Sequence, residues 1–343
     1  MCAQSYRAGR QSTLEFLNLS IDARASAMGD MGVATSADIY SQQYNPAKYI
    51  SMPSKGGVAA AYSPWLQNLV KDMNVIGLTG FYKLTEDQAI SGSFRYFSMG
   101  NMIFRDEQGQ DMGRDKPYQF ALDMAYSRRL AQYLSAFVTV RYAFSDLYSA
   151  ASGYKVGQGV AVDFGAYYQR PIYVAGMDAD LAFGASLANL GAKIDYGMTD
   201  EYFLPIEFRL GSSLNTYLSD EHRVLVGLEF IRPLAPEKES DRKKTSIGGM
   251  VASITDEGFS SFVYAAGAEY SLANLLFARL GYFYQKKADI GTQEESSYSR
   301  QYLSFGLGIG YEPLHLDFSY VVPTGTKGTS MANTIKVSVG LTF

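Results

Sequence analysis

The 343-residue sequence holds one cysteine, Cys2, and two histidines, His222 and His315. A lone cysteine excludes an internal disulfide framework and any multi-cysteine metal site, and two histidines leave little for metal binding or histidine-based catalysis. The chain nowhere approaches the roughly 20 consecutive apolar residues that a membrane-spanning helix requires. Charged residues make up only 19% and sum to −4. The single basic cluster, Arg242, Lys243 and Lys244, has the composition of a solvated loop, so a nucleic-acid footprint is missing. If such a chain meets a bilayer, it does so as strands. Near the start, Met1-Cys2-Ala3-Gln4 fits the end of an export signal poorly, and no upstream residues support lipid modification of Cys2.

Aromatics at 14% and 33 glycines are plentiful. From about Gly56 onward the residues alternate with period two, the signature of strands with two unlike faces. In the closing KVSVGLTF, Val337, Val339, Leu341 and Phe343 share one face, and Lys336, Ser338, Gly340 and Thr342 the other. Leu303, Phe305, Leu307 and Ile309 oppose Ser304, Gly306, Gly308 and Gly310 in the same way. Charges keep to the polar face: Arg95, Asp123, Arg141, Asp163, Glu207, Arg209, Arg223, Glu229, Glu269, Arg279 and Asp317. A soluble sandwich has a lysine-rich polar face. Here that face is small and sparsely charged, which suits a crowded lumen.

The pattern predicts an all-β transmembrane antiparallel barrel of about 14 strands, near 56–62, 72–82, 89–98, 117–127, 133–144, 159–169, 179–188, 206–216, 222–231, 261–270, 276–286, 301–311, 314–322 and 335–343. Their connections alternate between long and short, as in outer-membrane barrels with long extracellular loops and short periplasmic turns. Both termini are then expected in the periplasm. Tyr62, Tyr82, Tyr126, Phe144, Phe230, Tyr270 and Tyr311 at strand ends fit interfacial girdles, with ordinary cross-strand packing as the plainer explanation.

Residues 1–55 read as an N-terminal plug or cap on the periplasmic side, and 56–343 as the barrel. The stretch AMGDMGVATSADIYSQQYNPAKY, Ala27 to Tyr49, has glycines spaced like a phosphate loop, yet no Lys-Ser or Lys-Thr follows GDMG. Its glycines instead allow close backbone packing. Ser20 or Asp22 is an N-cap candidate for a short helical turn, and Pro46 pushes Asn45 toward extended backbone. Asp22, Arg24, Asp30 and Asn45 are the expected ties to the barrel wall.

The runs DARASAMGDMGVATSADIYSQQYNPAKY, YSPWLQNLVKDMN and SGSFRYFSMGNMIFRDEQGQDMGRDKPYQFALDMAYSRRL resemble the PorV family of the type IX secretion system, across the whole chain. That family is similar to FadL-type barrels, which implies 14 strands and an N-terminal segment entering the lumen. The resemblance further implies a non-enzymatic role without cofactors. The protein would bind the C-terminal signal domain of cargo at the translocon barrel (SprA/Sov) and hand it to the PorU sortase complex, within outer-membrane lipid or lipopolysaccharide.

Partner-contact candidates come from the loops. Tyr202, Phe203 and Leu204 are large apolar residues expected to be exposed beyond the membrane, where they would contact a partner or pack on neighbouring loops. Trp65 is an interface anchor or a contact, and Ile103 and Phe104 form a weaker site of the same kind. The charge-dense 232–260 reads as solvated loop, with a cargo or partner contact as the alternative. Two other functions compete. A FadL-like transporter of hydrophobic small molecules needs a continuous apolar route, and a hydrolase needs a Ser-His arrangement that neither His222 nor His315 offers by spacing.

Overall fold

The computed structural model describes residues 10–64, 72–105, 111–147, 155–257, 262–285, 300–324 and 334–343, with backbone alone at 102–105, 111–114, 239 and 257. The strands are β1 (Gly56–Pro64), β2 (Met73–Thr85), β3 (Gln88–Met99), β4 (Met102–Arg105), β5 (Asp111–Asp115), β6 (Tyr118–Ala131), β7 (Leu134–Asp146) and β8 (Gly157–Val174). They continue as β9 (Met177–Gly191), β10 (Glu207–Tyr217), β11 (His222–Pro233), β12 (Val263–Leu272), β13 (Leu276–Gln285), β14 (Arg300–Tyr311), β15 (Leu314–Pro323) and β16 (Thr334–Thr342). Fourteen of them close an antiparallel barrel in chain order, with β1 pairing β16 at Gly57↔Thr342 through Tyr62↔Val337. β4 and β5 form a separate hairpin in the connection between β3 and β6. No helix among the described residues is long and apolar enough to cross a membrane.

Burial is inverted relative to a soluble barrel. The outward residues are apolar and exposed, among them Leu78, Met124, Val140, Leu228, Leu280, Leu307 and Val339. The charges are inside: Arg95, Asp123, Arg141, Asp163, Glu207, Arg209, Glu229, Glu269, Arg279 and Asp317 are all buried. Such a continuous apolar exterior is tolerable only against lipid. Arg223 departs from the expected set. It is half-buried near a strand end, where its guanidinium bonds the Asn274 side chain.

The first described residues run through the barrel. Leu14, Phe16, Leu17, Leu19 and Ile21 pack with Met73, Val75, Phe97 and Met99 at the end of the barrel that carries the long connections. Tyr49, Ile50 and Met52 pack with Phe81 and Ala89 toward the opposite end. There Gly56 N donates to Phe343 O at 2.9 Å. Residue 10 and Phe343 therefore lie at opposite ends. Residues 1–9 lie outside the described residues, but from residue 10 onward the segment meets the lumen from the long-loop end and not, as expected, from the short-turn end. Short-range sequence signals carry no information on threading direction, because the contacts that set it join residues far apart in the chain, from Phe16 with Phe97 to Gln11 with Pro236.

Candidate functional site

The chain from Ser20 to Tyr49 is bound to the inner wall by specific hydrogen bonds. Asp22 accepts from Ala25 N at 2.7 Å and caps the short helix α1 (Ala23–Ala27), with the charge of Lys336 on β16 also acting on its carboxyl. Ala23 N donates to Ser338 Oγ at 2.8 Å, and Lys336 Nζ to Ser20 O at 2.7 Å. Arg24 forks onto Glu269 with two contacts of 2.9 Å and also bonds Asp38. Glu269 takes a second guanidinium from Arg279 at 2.6 Å, and Arg279 reaches Asp317 at 2.5 Å. These partners lie on β12, β13, β15 and β16.

Asp30 accepts from the Tyr302 hydroxyl through its side chain and from Arg209 Nη1, at 3.1 Å, through its carbonyl. Glu229 Oε2 collects the N–H groups of Gly32 and Val33 at 2.8 and 3.0 Å. Asn45 Nδ2 spans from Val33 O to Ala166 O on β8, at 2.9 and 3.0 Å. Arg24, Asp30 and Asn45 thus reach the wall directly. Lys48, which no sequence signal singled out, is buried and donates to Gly32 O at 2.9 Å and Thr35 Oγ1 at 3.0 Å. Charged hydrogen bonds of this kind are the stronger class, and burial makes each costly to leave unmade.

Backbone meets backbone where α1 ends. Gly29 has φ +74°, and a Cβ there would lie 2.7 Å from Tyr282 O on β13. Across from it, a Cβ on Gly281 would lie 2.0 Å from Gly29 N. No side chain fits at either position, so the glycines of the AMGDMG stretch serve close approach to the wall.

The long-loop mouth is covered. Gln11 N donates to Pro236 O at 2.9 Å, Phe203 N to Gln11 O at 3.0 Å, and Thr13 N to Phe203 O at 2.9 Å. Tyr202 and Ile194 exchange backbone bonds of 3.0 and 2.8 Å. Arg242 joins Asp200 at 2.6 Å and Gln11 Oε1 at 2.8 Å. The exposure expected of Tyr202, Phe203 and Leu204 is therefore corrected. Phe203 and Leu204 are 0% and 1% exposed and Tyr202 is half-buried, because the residues ahead of the barrel supply a backbone edge and an apolar surface for them. Residues 232–260 likewise hold more than solvated loop: Leu234 and Ala235 are buried, and a helix, α2 (Ser246–Glu257), follows. On that helix the Lys238 ammonium and the Thr255 hydroxyl hold the Asp256 carboxyl below the usual carboxylate range. Trp65 lies outside the described residues. Ile103 and Phe104 pair through backbone with Arg114 and Gly113 in the β4–β5 hairpin, and their side chains lie outside what is described.

Two small cavities flank the segment. A polar one of about 20 Å³ touches Asn18, Gln43, Arg141, Asp163, Asn189 and Arg209. A second, of about 40 Å³, lies between Ile21, Tyr40 and the β1–β3 wall. They offer room for roughly one to three waters, not for an organic ligand. His222 Nδ1 sits 2.6 Å from the Tyr270 hydroxyl, a tyrosine partner and not a serine. Among the described residues no group of His, Cys, Asp or Glu forms a metal-holding cluster.

Solved structures share this architecture. The monoaromatic hydrocarbon channel CymD aligns at TM-score 0.54 and 11% identity, over 94% of this chain and 98% of its own. The toluene transporter TodX of P. putida aligns at TM-score 0.55 and 9% identity, over 93% and 97%. A Pseudomonas aeruginosa FadL homologue aligns at TM-score 0.50 and 9% identity, over 95% and 99%. At such identities the likeness establishes a FadL-like fold alone. No curated protein sequence matches. The model of the type IX secretion system protein PorV matches residues 3–240. An apolar exterior, a FadL-like barrel and that match together make this an outer-membrane β-barrel among transport and secretion components. More than half of its length carries the family's pattern, and the chain belongs to the PorV family of type IX secretion system proteins.

Proposed function

We propose that the barrel is a non-enzymatic carrier in type IX secretion. It binds the C-terminal signal domain of exported cargo at the translocon barrel and passes it to the PorU-containing attachment complex. The observation that carries this reading is the covered mouth over a filled lumen in a member of the PorV family. A barrel packed from residue 13 to residue 52 presents a rigid rim, and loops on a rigid support are suited to recognition. The long connections face outward and the short turns face the periplasm, the arrangement usual for outer-membrane barrels. Residues 10–13 then lie at the outer mouth and Phe343 at the periplasmic rim. Trp65, Ile103 and Phe104 contribute to the partner surface from the first two outer connections, whereas Phe203 and Leu204 support it from beneath.

Uptake of hydrophobic small molecules is the second reading, favoured by the fold shared with TodX and CymD. It requires residues 13–52 to leave their wall contacts. Purification of tagged protein from native membranes tests the choice. Cargo bearing the signal domain, the translocon and the sortase are the expected companions. Recovery of the barrel alone with bound hydrophobic small molecules would replace the first reading by the second.

A further inference from the structure

The helix α2 has two unlike faces. Gly249, Ala252 and Ser253 point inward and are buried, with Gly249 so close to the Phe203 ring that a Cβ would lie 2.6 Å from it. On the opposite face Ile247, Val251 and Ile254 are 63%, 50% and 47% exposed. Their i, i+4, i+7 spacing makes one apolar stripe directed away from the mouth cover.

What lies beside the stripe is decided by Arg232. On β11 the outward row is Val226, Leu228 and Phe230, and Arg232 is its next member. Two positions before the outward Tyr264 of β12, just ahead of the strand, stands Phe262. The rings of Phe230 and Tyr264 meet edge to face with centroids 5.6 Å apart. The Arg232 guanidinium sits 5.0 Å from the Phe262 ring centroid and donates to Ser253 O and Ile254 O at 3.3 and 3.2 Å. The C-terminal turn of α2 is thereby fastened to the lipid-facing side of the wall. It sits one strand repeat, roughly 7 Å, beyond the Phe230–Tyr264 pair. Tyr62 and Tyr282 are outward and exposed toward the same end of the barrel, on β1 and β13, as expected of an interfacial girdle. A headgroup layer is roughly 5–8 Å deep, so with the Phe230–Tyr264 pair at the hydrocarbon edge the C-terminal turn of α2 falls within it. Lys243 just before α2 is exposed, at a height where anionic headgroups would meet it.

We propose that α2 is an interfacial membrane anchor, with Ile247, Val251 and Ile254 set into the boundary between headgroups and acyl chains next to β11 and β12. Continuity with the lipid-facing surface selects a bilayer over a protein as the occupant. The inference rests on the outer-membrane barrel and not on the cargo reading.

The test uses full-length protein in phosphatidylcholine vesicles with and without brominated acyl chains. Val251→Trp is placed in a Trp65→Phe background, with Leu228→Trp as the lipid-facing reference and Ile254→Trp as a second reporter. Heat-dependent gel mobility verifies that each variant is folded. Bromolipid is expected to quench Val251→Trp at least about half as strongly as Leu228→Trp, with little quenching by aqueous acrylamide, as for a helix lying in the interface plane. Quenching by acrylamide and not by bromolipid would overturn the proposal. So would insensitivity to both quenchers, or protection from acrylamide that arises only in native membranes, where a protein partner would be the occupant.

Discussion

The wall from β11 to β16 and the wall from β3 to β9 treat the chain running between them differently. On the first side two carboxylates, those of Glu269 and Glu229, are shared with the segment, while Asp317 bonds Arg279 of the wall. Glu269 divides itself between Arg279 of the wall and Arg24 of α1, and Glu229 between Arg209 of the wall and the N–H groups of Gly32 and Val33. On the second side the wall satisfies itself. Asp123 receives Arg95 at 3.0 Å and Arg141 at 2.6 Å, and Arg141 goes on to Asp163 at 2.7 Å. The segment is bonded here by Arg95 to Leu17 O at 2.7 Å, Asn189 to Asn18 at 2.8 Å, Ser135 to Ala47 O at 3.0 Å and Asn45 to Ala166 O at 3.0 Å, none of which takes a carboxylate of the wall. A buried charge that loses its partner is costly, and the carboxylates of the second side keep their partners within the wall. Displacement of the segment is therefore expected to be resisted most on the β11–β16 side and to yield first on the β3–β9 side.

The largest effects come from breaking each network in turn. Glu269→Ala leaves Arg24 and Arg279 short of a buried partner and is expected to cost about 3–5 kcal/mol. Denaturant unfolding in detergent reads the loss, and limited proteolysis is expected to release residues 10–55 before the barrel opens. Asp123→Ala strips two guanidinium groups and is expected to cost a similar ~3–5 kcal/mol with the segment still protected. Equal protease sensitivity in the two variants would erase the distinction between the sides.

Gly281→Val drives a side chain into Gly29 N, a smaller and purely steric perturbation of about 1–3 kcal/mol. Hydrogen exchange is expected to rise in residues 23–34 and not in residues 14–19. Smallest is Asp22→Ala, which removes the α1 cap at a cost of about 1 kcal/mol. Its expected signature is faster exchange at Ala25 N, with the barrel's unfolding midpoint nearly unchanged. Loss of the whole segment on this substitution would make Asp22 a principal tie to the wall and not mainly a cap.

Strand positions were legible because each strand has one greasy and one polar face, and the chain writes that difference in period two. The exception is β8. It runs to Val174, beyond the 169 expected, and Arg170, Pro171, Tyr173 and Val174 are exposed. That part of β8 has no buried residue and so shows no alternation. The glycines of AMGDMG were recognisable as close-packing residues. Their partner Gly281, 252 positions away, was not.

The mouth was the least legible part. The run Tyr202-Phe203-Leu204 is apolar whether it waits for a partner or already has one, and the partner here is Gln11 to Thr13, joined only when the chain has passed through the barrel. Arg232 is similar. It reads as the first residue of a charged loop, and only its place on the outward row makes it the clasp of α2.

By itself the sequence determined that the chain is a membrane barrel of about 14 strands with its charges turned inward, since alternation and loop length are local properties. Only the tertiary structure decided which end the N-terminal segment meets, which carboxylates hold it, and that Phe203 is covered. Those outcomes depend on contacts between residues far apart in the chain, whose pairing is set by closure of the barrel around its own first residues.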